Sequence, residues 1–112
     1  MVRAQSGRVP ELVVAVSGAL AGSTVPQWSR EFDRVARTGA DRLVVDLSAC
    51  PRIDTAAIVI LLRLHRQMKR SGGRLVLRHP APAVVRLFMV ARVDQVLTVE
   101  DSPAVQQPSA ET

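Results

Sequence analysis

Three short apolar runs, Leu12–Val16, Leu43–Leu47 and Leu75–Leu77, are spaced so that each gap between them holds one helix. This spacing limits the fold more than any other feature of the chain. The runs are rich in Val and Leu and read as strands, with Asp46 the only interruption. Gaps of helix length return the chain in the same direction by right-handed crossovers, so neighbouring strands run parallel. In the first gap, Val25, Trp28, Phe32, Val35 and Ala36 form one stripe within a helix predicted over Thr24–Thr38. Thr24 and Gln27 have capping-box spacing, Pro26 suits a first turn, and Gly39 follows the end. The second helix should run from about Thr55 to Arg70, with Ala57, Leu61, Leu64 and Met68 inward and Gly72 and Gly73 as its stop. Pro80 and Pro82 open a third helix whose Val84, Leu87, Phe88 and Ala91 share a face, and Val96–Val99 adds a last short strand. The prediction is an α/β fold: a single domain with a mostly parallel four- to five-stranded sheet and helices packed against it. It spans residues 10–99, after an N-terminal segment 1–9 and before a flexible C-terminal tail 100–112 that is polar and carries Pro103 and Pro108.

Composition and motifs remove several function classes. The 112 residues suffice for one core. The longest apolar run, Ala56–Leu62, is far short of the roughly 20 residues a membrane span needs, so no membrane insertion is expected. The first ten residues lack the apolar block of a signal peptide, which predicts a cytoplasmic protein. Cys50 is alone, which excludes an internal disulfide and makes it a small, half-buried apolar residue. Gly18 and Gly22 lack the rest of either nucleotide fingerprint, and Gly72 and Gly73 precede a strand, so no cofactor is expected. His65 and His79 have neither the spacing nor the carboxylate partners of a metal site or a general base. A polar strand end and a helix cap explain Asp46 and Asp54 more simply than an acid/base pair. The chain therefore reads as a non-enzyme with no catalytic residues and no metal.

Residues 1–99 carry a net charge of +8, because three of the ten acids follow Val99. Between Arg63 and Arg78 stand six basic residues and no acid. A solvated helix face near a favourable C-terminal dipole accounts for most of that run, and nearby aromatics for base stacking are absent. Direct nucleic-acid binding is not expected.

Ligands of parallel sheets gather at the carboxyl ends of strands, in the loops that lead to helices. Ser48–Asp54 is such a loop, and it delivers Thr55 to a helix start, where unpaired N–H groups and roughly half a positive charge favour an anion. On local chemistry alone, Asp54 or Thr55 can also simply cap the helix, which is worth about 1 kcal/mol. At 100° per residue, Thr55, Val59, Leu62 and Arg66 fall on the side away from the inner stripe. Val59 and Leu62 are then either a docking surface or covered by a neighbouring element.

The order of these elements, together with particular strings, resembles the STAS domain family, specifically the stand-alone anti-sigma factor antagonists. The strings are Leu43-Val44-Val45-Asp46-Leu47-Ser48, Ile53-Asp54-Thr55, Arg74-Leu75-Val76-Leu77, Pro80-Ala81-Pro82-Ala83-Val84, Leu87-Phe88 and Val93-Asp94-Gln95-Val96-Leu97. The resemblance implies partners: an anti-sigma factor with kinase activity, which the unphosphorylated domain binds so that a sigma factor is freed, and a phosphatase that resets the cycle. It implies that Thr55 is the phosphoacceptor. Together with the outer side of the second helix, this puts the expected docking surface on the Asp54–Leu62 junction and the Ala19–Ser23 loop, with Asp54, Ala56, Val59, Leu62, Ala21 and Ser23 contacting the partner. The family's Gly-Glu-Leu-Asp turn reads Gly18-Ala19-Leu20-Ala21 here, and its small stretch after the phosphoacceptor reads Ala56-Ala57-Ile58-Val59. The family also contains STAS subunits of transporter complexes such as lipid-trafficking ATPases, which the local string Asp54-Thr55-Ala56 resembles.

Overall fold

Strands β1 (Glu11–Ala15), β2 (Arg42–Asp46), β3 (Arg74–Arg78) and β4 (Thr98–Glu100) pair in that order, and every pair is parallel. The computed structural model describes residues 10–100; the expected segment 1–9 and the tail beyond Glu100 lie outside the described residues. Helices α1 (Val25–Ala36), α2 (Thr55–Arg70) and α3 (Pro82–Val90) make the crossovers. The register aligns Leu12, Leu43 and Leu75 in one row and Val14, Val45 and Leu77 in another. Those rows meet Phe32 and Val35 of α1, Ala57, Leu61, Leu64 and Met68 of α2, and Val84 and Phe88 of α3 in one core. Burying each such Leu, Val or Phe contributes about 1.5–3 kcal/mol.

Val44 and Val76 alternate onto the other side of the sheet, where they are buried but separate from that core. On the same side Arg42 bridges Glu11 at 2.9 Å and Glu100 at 3.0 Å, and Arg78 holds Glu100 at 2.9 Å. Glu100, expected at the start of the tail, is the last residue of β4.

The end of α2 shows how sequence sets a boundary. Gly72 takes a left-handed φ of 86°, its N–H bonds Lys69 O at 3.1 Å, and the Gly73 N–H bonds Met68 O at 2.8 Å. This is the paired closure that a glycine after a helix permits. Helix α1 is shorter than Thr24–Thr38, and the Thr24/Gln27 capping box does not form. Thr24 sits in helical backbone because it is the last residue of a 3-10 turn over Gly22–Thr24. Its hydroxyl turns back to donate to Ala19 O at 2.9 Å, and it accepts from the Ala21 N–H at 3.1 Å. Ala91 is exposed rather than on the core face, since α3 stops at Val90. The last strand begins later than Val96 because the N–H groups of Val96 and Leu97 both turn back to Val93 O. Cys50 is fully buried, not half-buried, and that burial pushes its thiol up from its ordinary value.

Candidate functional site

Beyond the ends of β1 and β2 the two loops stay paired. The Gly18 N–H bonds Ala49 O at 2.9 Å, the Leu20 N–H bonds Arg52 O at 3.1 Å, and the Asp54 N–H bonds Leu20 O at 3.3 Å. Leu20 and Ile53 form a parallel bridge and are both buried, so each loop is pinned by one apolar side chain. The chain reaches α2 as a continuation of the sheet rather than as a free loop.

Asp54 is the hinge of this arrangement. Its backbone is extended (φ −121°, ψ −176°), as an N-cap requires, and its Oδ1 accepts the Ala57 N–H at 3.0 Å. Its Oδ2 accepts the Gly22 N–H at 2.9 Å. One carboxylate thus satisfies a donor at the start of α2 and ties down the loop after β1. The N–H of Gly22, followed by that of Ala57, holds the Asp54 carboxyl below its ordinary value. The local question of which residue caps α2 is answered by Asp54, which leaves the Thr55 hydroxyl unengaged among the described residues.

Thr55 and Ala56 are exposed in the first turn of α2. Val59, one turn on, is 50% exposed, and Leu62 is half-buried against the core. Across the Asp54–Gly22 bond, Ala21 is half-buried and Ser23 exposed. Asp54, Thr55, Ala56, Val59, Ala21 and Ser23 therefore lie on two joined segments, with Leu62 at their margin. Gly22, the residue that joins them, was not picked out by the sequence. Its left-handed φ of 56° identifies it as a position that favours glycine, and the Gly22-Ser23-Thr24 string was the available signal.

Other titratable groups do not join this surface. Asp46 accepts the Ser48 N–H at 2.9 Å, which holds its carboxyl low and fixes the strand end. Burial lowers His65, with Lys69 and Arg66 adding to it. Among the described residues no cluster of His, Cys, Asp and Glu is placed to hold a metal, and no helix is long and apolar enough to cross a membrane. The surface offers shape, a reachable hydroxyl and a helix N-terminus, which suits binding and modification.

Residues 4–99 match the family described as "Mlab, STAS domain". The fold resembles a Thermotoga maritima protein provisionally described as an anti-sigma factor antagonist, with a TM-score of 0.77 at 16% identity over 92% of this chain and 89% of that one. An NMR structure of the protein TM1081 gives 0.72 at 17% identity over 88% and 80%. SpoIIAA, an anti-sigma factor antagonist, in its unphosphorylated form gives 0.64 at 16% identity over 90% and 88%. These likenesses establish a shared fold.

Proposed function

The chain belongs to the STAS domain family, and we propose that within it the protein acts as an anti-sigma factor antagonist. It binds an anti-sigma factor with kinase activity and so regulates sigma-factor-dependent transcription. Phosphorylation at Thr55 releases the partner, and a phosphatase restores the binding form. The observation that carries this reading is the division of labour at the start of α2: Asp54 takes the capping bonds, and Thr55 beside it stays exposed. A phosphoryl group there adds about −1.5 to −2 charges next to the Asp54 carboxylate and on the rim of exposed Val59. Such a group is costly to desolvate against an apolar partner face. A hundredfold loss of affinity needs only about 2.8 kcal/mol.

Ala19 and Ala21 stand where the resembling antagonists carry acids, yet the loop is held in place without them. Backbone bonds from Leu20 and Gly22 and the Thr24 hydroxyl fix it beside Thr55. The protein works as a binding module without catalysis of its own. The test is incubation with candidate anti-sigma kinases and ATP, followed by intact mass for wild type and Thr55→Ala. One phosphate on wild type and none on the variant supports the reading. Tight binding with no mass gain on Thr55 rejects the switch.

The Asp54-Thr55-Ala56 string favours a second reading, a STAS subunit of a transporter complex such as a lipid-trafficking ATPase. It predicts a stable complex with a membrane ATPase and no effect on sigma-dependent transcription, through the same end of α2.

A further inference from the structure

From Thr55 to Val93 the chain contains eight basic residues and no acid. Four of the eight line the outer side of α2 beyond Val59: Arg63, Arg66, Lys69 and Arg70 are all exposed. Arg63 comes within 3.9 Å of Asp33 on α1, a loose contact with both side chains open to water. Arg66, Lys69 and Arg70 have no ion pair with any acid among the described residues. Arg66 has like charges three residues before it, three after and four after. Each such pair costs a helix a few tenths of a kcal/mol. The helix dipole favours Lys69 and Arg70 in the last turn, but its effect fades before Arg63 and Arg66. The stripe is therefore not arranged for the stability of α2, and an opposite charge from outside would relieve it.

Its position says what kind of molecule that charge sits on. The stripe continues directly from Val59 and Leu62, so an apolar turn and basic turns share one face. A phosphate backbone has no use for Val59, and α2 carries no aromatic on which a base could stack. We propose that the outer face of α2 docks a protein partner that presents an apolar socket for Val59 beside a row of carboxylates facing Arg63, Arg66 and Arg70. This rests on the reading that the Thr55 end of α2 is the docking surface, and it adds the chemistry of the partner. At 1.5 Å per residue, the carboxylates lie from about 6 Å to about 16 Å along the helix from the socket. Such complementarity steers encounter and is weakened by salt.

The probe is a synthetic amphipathic helix with a leucine stripe flanked by glutamates, titrated against the full chain with backbone-amide NMR as the readout. Shifts are expected from Val59 to Arg70, with affinity falling about tenfold or more in Arg66→Glu/Arg70→Glu or when glutamine replaces the peptide's glutamates. In the double variant the 63–66 and 66–69 pairs become attractive, which offsets the new like-charge pair between positions 66 and 70, and at exposed positions it should fold; Arg66→Ala provides a second, milder variant. Shifts that avoid α2, equal binding by the double variant, or a DNA duplex outcompeting the peptide for the stripe each overturn the proposal. The double variant is also run against the candidate kinases. If no kinase binds but the acidic peptide docks on α2, the antagonist reading fails and the stripe stands; a kinase that binds wild type and double variant equally leaves that reading and removes the stripe.

Discussion

The Gly22 N–H and the Asp54 carboxylate, 32 residues apart, are joined by a 2.9 Å hydrogen bond that closes the candidate surface. Because the other carboxylate oxygen caps α2, changes at Asp54 act on the helix and the loop together. Asp54→Ala should lower stability by about 1–2 kcal/mol, at the upper end for a lost cap, since the Gly22 N–H loses its acceptor as well. Urea unfolding of wild type and variant measures it. A loss well under half of that would show that the loop holds without the bond.

The same carboxylate gives a pH signature. Its folded value lies below the ordinary 3.8, because the ionised form accepts the Gly22 and Ala57 N–H groups. The stabilisation is therefore complete above the unfolded value and is lost as pH falls through the folded one. Asp46 and Glu100 are also held low and add to acid unfolding, so the test is a difference. Stability of wild type should fall more steeply than that of Asp54→Asn below about pH 4, with the two profiles parallel above it.

Thr55 should tolerate substitution without harm to the fold. It is exposed at the first position of α2, where a negative charge is favoured by about 0.3–1 kcal/mol. Thr55→Ala should melt within a degree or two of wild type, and Thr55→Glu at or slightly above it. If Thr55 is the switch, Thr55→Glu nevertheless weakens the kinase complex by a factor of ten or more, about 1.4 kcal/mol. Unchanged affinity with unchanged melting would leave Thr55 as a bystander.

The parallel sheet and the inward stripe of α2 were legible because the relevant signals are local. Apolar runs a helix apart, and Ala57, Leu61, Leu64 and Met68 at helical spacing, leave little freedom of arrangement. What failed depends on geometry between segments. Thr24 had the spacing of a cap, yet its place at the end of a 3-10 turn denied it the extended backbone a cap needs. Ala91 had the period of the α3 face but fell one residue past the helix end. The Gly22–Asp54 bond crosses between two crossovers, and no periodicity encodes such a contact.

Gly73 illustrates a constraint that backbone angles alone would miss. A Cβ there would lie 2.8 Å from Ala40 O and 2.9 Å from Met68 Cε, and only the second can move aside. Gly73→Ala should cost about 1–3 kcal/mol through this clash. Thermal unfolding of Gly73→Ala, Met68→Ala and the double variant closes a cycle, since Met68 is a core residue whose truncation is costly by itself: a smaller cost of Gly73→Ala in the Met68→Ala background would assign the clash to Met68 rather than to the backbone between α1 and β2.

Val59 and Leu62 share a side of α2 by sequence, but their surroundings part them. Val59 is half exposed, whereas Leu62 packs against the core. Truncation at Leu62 should therefore be read first as stability, with Leu62→Ala costing about 1–2 kcal/mol, short of the full price of a core leucine. Val59→Asp removes little packing and should stay within about 0.5 kcal/mol of wild type. Its effect belongs to binding, because a carboxylate would enter the apolar socket unpaired and would also face the carboxylates proposed opposite the basic stripe. Calorimetric titration with the partner is expected to show Val59→Asp losing most of its affinity while melting normally. A Val59→Asp protein that binds as wild type would move the docking surface off α2, to the Ala21–Ser23 side of the Asp54 bond.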